Sequence, residues 1–122
     1  MKFYRCPHCG NIVVKIKDSG VPLVCCGQKM EELVPNTGEG AGEKHLPVIT
    51  RNGNEVTVQV GSVIHPMLEN HYIEWIMLQT KEGNQRKCLK PGDEPIAKFY
   101  VSDTDEVECA LEYCNLHGLY KA

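Results

Sequence analysis

Residues 55 to 60 read Glu-Val-Thr-Val-Gln-Val, with a valine at every second position. In an extended chain, successive side chains point to opposite faces of the strand. The three valines would therefore share one face, and the polar residues between them would share the other. This alternation predicts a half-buried strand of an antiparallel sheet.

The same period of two recurs further along the chain. It occurs in three stretches: Ile73, Trp75 and Met77; Ala97, Phe99 and Val101; and Val107, Cys109, Leu111 and Tyr113. Turn-forming residues separate the strands at Asn52-Gly53-Asn54, Glu82-Gly83-Asn84 and Lys90-Pro91-Gly92-Asp93. We therefore predict a small immunoglobulin-like antiparallel β-sandwich. Residues 106–113 have a composition that also suits a helix, but their strict alternation favours a strand.

A glycine-rich stretch divides the chain. Residues 35–42 contain a proline and three glycines at alternate positions and almost no apolar side chain, which predicts a linker. Four of the seven cysteines precede it, and four of the five histidines follow it. We predict a metal-binding module over residues 1–36 and a sandwich domain over residues 37–122.

Charge and hydropathy restrict the partners and the location. The 122 residues carry a formal charge of −3 and a pI near 5.9, which disfavours nucleic acid or an anionic membrane surface as the main partner. No apolar stretch approaches the roughly 18 residues that span a bilayer, and no secretory signal precedes Cys6. Seven cysteines, an odd number, suit thiol or metal chemistry in a reducing cytoplasm.

The first four cysteines form a candidate metal site. Cys6 and Cys9 form a C-x-x-C knuckle, and the adjacent pair Cys25 and Cys26 follows 15 residues later, each pair next to a glycine. Four thiolates suit zinc or a single iron. Adjacent cysteines should distort the tetrahedron, and His8, inside the knuckle, is expected to be a solvated loop residue.

The second half of the chain carries a candidate mixed site. The histidines at turns or strand ends are His45, His65, His71 and His117. Cys114 follows the last predicted strand. We expect the odd-numbered residues of that strand to face the core, which would turn Cys114 away from the core and toward His117. The spacing indicates a transition-metal site but does not reveal its chemistry.

Three separated motifs in the correct order resemble the two-iron superoxide reductases of the desulfoferrodoxin type, over the whole chain. The motifs are Cys6-x-x-Cys9 with Cys25-Cys26; Glu43-Lys44-His45-x-Pro47 followed by His65-Pro66-Met67, His71 and Trp75; and Cys114-Asn115-x-His117-Gly118. The first motif is similar to a desulforedoxin module.

The resemblance implies two iron ions, although zinc is possible at the four-cysteine site. It implies that Cys6, Cys9, Cys25 and Cys26 bind one iron. It implies that His45, His65, His71 and His117 bind the other in a square plane, with Cys114 as the axial thiolate. Lys44 would attract superoxide and orient its protonation, and Glu43 would close the site after turnover.

The activity implied is reduction of superoxide to hydrogen peroxide without release of dioxygen, by a cytoplasmic homodimer supplied with electrons by a rubredoxin-like donor. An alternative is a two-iron electron carrier for which superoxide turnover is incidental. Another is a zinc-ribbon adaptor fused to a protein-binding sandwich. Cys109 is expected to be a small buried side chain, and Cys88 to be either a half-exposed thiol or a buried residue of an edge strand.

Overall fold

The computed structural model describes all 122 residues, which form two compact units, Met1–Val34 and Pro35–Ala122. The chain is mainly β-structure, as its alternation predicts, and its one helix has four residues. No helix is long and apolar enough to cross a membrane.

The first unit consists of five short strands. They are β1 (Phe3–Arg5), β2 (Ile12–Val14), β3 (Val24–Cys25), β4 (Gln28–Lys29) and β5 (Glu31–Leu33). Strand β1 pairs antiparallel with both β2 and β5, and β3 and β4 form a separate hairpin. The buried apolar residues of this unit are Phe3, Cys6 and Met30. Such a small core needs another source of stability, and a bound metal is the usual one.

The second unit is an antiparallel β-sandwich. Its elements are α1 (Gly42–His45), β6 (Pro47–Asn52), β7 (Glu55–Val60), β8 (Ile73–Thr80), β9 (Gly83–Cys88), β10 (Ile96–Tyr100), β11 (Val107–Cys114) and β12 (Gly118–Lys121). One sheet has the strand order β10-β7-β6 and the other has the order β12-β11-β8-β9. The three valines of β7 are fully buried in the core, so the predicted fold is confirmed.

The predicted turns connect the strands as expected. Gly53 has a φ of +62° in the β6–β7 hairpin, and Gly92 has a φ of +90°. The backbone amide of Asp93 donates to the carbonyl of Lys90, and the Asp93 carboxylate accepts from the Lys90 amide. Residues 107–114 form a strand, so the helical alternative for this stretch is wrong.

The predicted facing of β11 is wrong. Ala110 and Cys114 belong to the sandwich core, and Glu112, on the same face, is fully buried. The odd-numbered residues Leu111 and Tyr113 are also buried, on the other face of the sheet. An alternation of polar and apolar residues reveals one buried face only. It misleads where both faces are covered and the inner face carries a glutamate and a cysteine.

The segment predicted as a linker is instead attached to the second unit. The backbone amide of Asn36 donates to the carbonyl of Leu119. The Asn36 side chain hydrogen-bonds with the backbone of Lys121. The Tyr120 hydroxyl accepts a hydrogen bond from the Gly40 amide at 2.9 Å. The glycines let the backbone approach closely, since a Cβ on Gly40 would lie 2.5 Å from the His45 ring.

Candidate metal centres

Five potential ligands from separate parts of the second unit converge on one point. His45 ends α1, His65 follows β7, His71 precedes β8, Cys114 ends β11, and His117 lies in the turn before β12. One donor atom from each residue lies within 4.8 Å of every other. All five lie at or beyond the ends of strands, where the sandwich holds loops against one another.

The four imidazole rings form a closed square. Going around it, the ring centroids lie 4.6 Å apart for His45 and His65, 4.7 Å for His65 and His71, 5.1 Å for His71 and His117, and 4.9 Å for His117 and His45. Each neighbouring pair is nearly perpendicular, with interplanar angles from 78° to 86°. Four nitrogens can therefore face one centre without the rings colliding.

Backbone carbonyls fix the orientation of two of these rings. Nδ1 of His45 lies 2.8 Å from the carbonyl oxygen of Ala41, and Nδ1 of His65 lies 2.6 Å from that of Pro66. A proton on each Nδ1 leaves Nε2 as a lone-pair donor facing the centre. Nε2 of His71 is buried and has no hydrogen-bond partner, as expected for an atom whose partner is a metal.

The distances between the donor atoms fit a metal ion. Nε2 of His45 lies 3.1 Å from Nδ1 of His117 and 3.2 Å from Nε2 of His65. Four nitrogens in a square, each about 2.1 Å from a central ion, would be about 3.0 Å apart along each side. The Cys114 sulfur lies 3.5 Å from Nε2 of His65 and 3.8 Å from Nδ1 of His117. This set of four nitrogens and one sulfur suits iron.

Burial keeps the imidazoles in the state that a metal requires. It lowers the pKa of His65 to about 4, and it also lowers the pKa of His45 and of His71. These three rings are therefore neutral at pH 7 and can bind a cation. Burial raises the pKa of the Cys114 thiol, so a bound cation is needed to keep that sulfur ionised.

Glu43 and Lys44 are exposed residues of α1, directly before the buried His45. The positive charge of Lys44 is near enough to add to the lowering of the pKa of His71, after the larger effects of burial and of His117. A cation thus stands in solvent near the square of imidazoles, and an exposed carboxylate precedes it in the same turn.

Two further residues near this centre were not predicted from the sequence. Glu112, two residues before Cys114, has both carboxyl oxygens buried without a hydrogen-bond partner, and burial raises its pKa to about 9. The Tyr120 ring packs at 4.7 Å from the His45 ring. Pairing of Glu112 with Tyr120 across β11 and β12 places both side chains on one face. No sequence signal distinguishes Glu112 from the exposed Glu108 of the same strand.

The four cysteines of the first unit also converge. Their sulfurs all lie within 4.8 Å of one another, with 3.6 Å between Cys9 and Cys25 and 4.0 Å between Cys25 and Cys26. Sulfurs at the corners of a tetrahedron, each about 2.3 Å from an ion, would be about 3.8 Å apart. Cys26 adopts a φ of +53°, which allows two adjacent cysteines to serve one site.

The backbone next to Cys6 favours the thiolate form of that residue. The Cys9 amide donates to the Cys6 sulfur at 3.5 Å, and this contact is the largest of several hydrogen bonds that together lower the pKa of Cys6 to about 6. The Asn11 side-chain amide lies 3.7 Å from the Cys25 sulfur and can donate to it. Tetrahedral thiolate coordination suits iron as well as zinc. His8 is exposed and lies outside this cluster, in agreement with the prediction.

The fold and the two donor sets define a class of protein with a four-cysteine centre and a centre of four histidines and one cysteine on a β-sandwich. Residues 37–122 match the family model of desulfoferrodoxin, and residues 1–33 match that of its N-terminal domain. The chain therefore belongs to the desulfoferrodoxin family, as its motifs predict. The two donor sets match the two iron centres of that family.

Relatives cover the whole chain. It is 51% identical over 122 residues to a desulfoferrodoxin homolog of Archaeoglobus fulgidus, and the alignment covers 100% of this chain and 96% of that protein. It is 50% identical over 121 residues to the desulfoferrodoxin of Nitratidesulfovibrio vulgaris, with 99% and 94% covered. The crystal structure of the superoxide reductase from Treponema pallidum superposes with a TM-score of 0.83 at 35% identity, covering 99% of this chain and 97% of that one.

Proposed function

We propose that this protein is a superoxide reductase, which converts superoxide to hydrogen peroxide without releasing dioxygen. The observation that carries the proposal is the convergence of four imidazole nitrogens and the Cys114 sulfur on one point. Membership of the desulfoferrodoxin family and likeness to the superoxide reductase of Treponema pallidum support it. The reaction consumes one electron and two protons per superoxide, and iron held by the second unit would supply the electron.

The ligand assignments are part of this proposal. The histidines of the square, His45, His65, His71 and His117, would hold the iron through their inward nitrogens, and Cys114 would bind it as a thiolate. Cys6, Cys9, Cys25 and Cys26 hold the other iron. A thiolate ligand donates electron density to iron, while neutral imidazoles add no charge. The boundary between functional modules, predicted between residues 36 and 37, stays a prediction.

Lys44 attracts the anionic substrate and orients its protonation. The chain carries a net charge of −3, so its overall field repels superoxide and a local cation is needed at the site. We expect Lys44→Ala to lower the second-order rate constant with superoxide by about tenfold and to flatten its dependence on ionic strength. Fast mixing at several salt concentrations measures both quantities. Lys90→Ala, which removes a lysine of the predicted Lys90–Asp93 turn, is the control for net charge, and an unchanged rate in Lys44→Ala would remove this residue from the mechanism.

Glu43 closes the site after turnover. Its exposed carboxylate lies in the same helical turn as His45, two residues earlier, and a hard oxygen donor suits ferric iron better than ferrous iron. We expect Glu43→Ala to shift the absorption of the oxidised protein while leaving that of the reduced protein unchanged. Glu39→Ala, a change at a nearby exposed acid, serves as the control. Identical oxidised spectra for Glu43→Ala and the parent protein would exclude this role.

The partners are also proposed from the chemistry of the surface. Cys9 and Cys26 are exposed, so a small redox protein of the rubredoxin type can deliver electrons near the four-cysteine centre. Ile16, Val21 and Val24 leave apolar surface on the first unit, which supports a homodimer. Sedimentation should give twice the chain mass of 13.7 kDa. A monomer at micromolar concentration would contradict the dimer. A cytoplasmic location stays a prediction.

One experiment distinguishes the proposed activity from an electron carrier. The iron-loaded protein is fully reduced and mixed rapidly with a superoxide pulse, while the thiolate-to-iron absorption is followed and peroxide and dioxygen are assayed. Oxidation in step with superoxide loss, with one peroxide per superoxide and no dioxygen, would establish the reductase. If the absorption does not develop, the protein is a carrier. Appearance of dioxygen would indicate a dismutase.

A further inference from the structure

The helical turn that carries Glu43 and Lys44 is seated on a neighbouring loop, residues 61–64, which joins β7 to His65. The Val63 amide donates to the carbonyl of Glu43 at 2.9 Å, and the Ser62 hydroxyl donates to the same oxygen at 3.2 Å. The Gly61 amide donates to the carbonyl of Leu46 at 3.3 Å. Three hydrogen bonds thus connect this loop to both ends of the turn.

Gly61 is the tightest point of this contact. It is buried and has a φ of +82°, a conformation that residues with a side chain rarely adopt. A Cβ at this position would lie 2.8 Å from both Cα and the carbonyl carbon of Lys44, and it would also collide with the carbonyl oxygen of Val63. The Lys44 backbone therefore rests directly against the Cα of Gly61.

We propose that Gly61 is a positioning residue for the reaction with superoxide, because its bare Cα sets where the Glu43–Lys44 turn stands relative to the metal centre. The inference rests on the proposed function of Lys44. The same loop leads directly into His65, whose ring belongs to the square of imidazoles. A side chain at position 61 would push the turn away from the loop and carry the Lys44 ammonium away from the centre.

The chain offers a matched control for the backbone strain. Gly53 also has a positive φ, of +62°, but a Cβ there would meet no atom within 4 Å. Gly53→Ala therefore imposes a similar conformational cost without displacing a neighbour. Any difference between Gly61→Ala and Gly53→Ala therefore reports the close contacts at position 61, with the Lys44 backbone and the Val63 carbonyl, rather than the positive φ.

Hydrogen exchange tests the contact between the helical turn (residues 42–46) and the loop (residues 61–64) independently of activity. In iron-loaded protein, mass spectrometry should show faster exchange in peptides covering residues 42–46 and 61–64 for Gly61→Ala, and no such change for Gly53→Ala. Unchanged exchange in Gly61→Ala would overturn the proposal. This measurement holds whether or not the protein turns over superoxide.

Kinetics test the route through Lys44. We expect Gly61→Ala to slow the reaction with superoxide about tenfold and to flatten its salt dependence, as Lys44→Ala does, with the thiolate-to-iron absorption unchanged. In a double-mutant cycle, adding Gly61→Ala to Lys44→Ala should then slow the reaction little further. Multiplying effects would contradict the proposal. If the parent protein does not reduce superoxide, the proposed function fails instead.

A second variant covers the case in which Gly61→Ala does not fold. Ser62→Ala removes the hydroxyl bond to the carbonyl of Glu43 and introduces no strain. It should produce the same changes in the same direction, with a rate lowered about two- to threefold, as expected for one exposed hydrogen bond. A parent-like rate and parent-like exchange in Ser62→Ala would contradict the proposal that this loop positions the helical turn.

Discussion

Cys114→Ser should abolish the thiolate-to-iron absorption of the second centre and slow the reaction with superoxide by at least about 100-fold. Residues that only orient metal ligands already cost 10–100-fold when they are changed, and Cys114 supplies a donor atom itself. Serine keeps the size of the side chain, so the core around this fully buried position is not emptied. Its oxygen is a harder and less polarisable donor than sulfur and cannot replace the electron density of a thiolate.

Cys109→Ser is the matched control, since Cys109 is a buried cysteine of the same strand outside both metal clusters. Its sulfur approaches the Gln79 side-chain oxygen at 3.8 Å, so a serine hydroxyl can keep that partner. We expect the spectrum and rate of this variant to match the parent. A Cys114→Ser protein that retained the absorption band would show that the sulfur does not bind the iron.

The iron content of both variants separates two causes of inactivity. The four imidazoles of the square remain in Cys114→Ser, so the second centre should still bind iron, although more weakly. If the absorption band is lost while iron is still bound, the slower reaction is caused by a change in the electronic structure of the centre. Loss of the iron itself would show that the thiolate is needed for affinity, and the rate would then say nothing about electron donation.

The donor residues could be found from the sequence because metal binding needs particular side chains at turns. Cys6-x-x-Cys9 and Cys114-x-x-His117 are local motifs, and the structure shows each of them in one cluster. The distant histidines His45, His65 and His71 were predicted from the order of motifs, since sequence spacing alone does not place separate loops together. The strands were predictable because one face of each sheet is buried against the core.

Features that depend on contacts between distant parts of the chain were not predictable. Glu112 has the sequence surroundings of an exposed strand residue but is fully buried, because both faces of its sheet are covered. The glycines at 38 and 40 resemble those of a flexible linker, yet they allow close packing against His117 and His45. The role of Gly61 can be recognised only from its close contact with the Lys44 backbone in the folded structure. Each of these depends on tertiary packing that local composition does not encode.

Cys6→Ser should unfold the first unit and leave the second centre working. The buried apolar residues of the first unit are Phe3, Cys6 and Met30, which is far too small a core for 34 residues. A structural metal bound by cysteines contributes about 10–16 kcal/mol in small domains, so the metal dominates the stability of this unit. All five donors of the other centre lie in the second unit and remain in place.

The expected result is a fall from two irons per chain to one, with loss of exchange protection in peptides from residues 1–34 and retention of the reaction with superoxide. Cys88→Ser is the control, because Cys88 is an exposed thiol outside both clusters. Protected first-unit peptides without iron would show that the strands hold this unit together unaided. Loss of the superoxide reaction would mean that the four-cysteine centre contributes to turnover itself, even when the second centre begins fully reduced. Its role would then extend beyond delivering electrons from a donor.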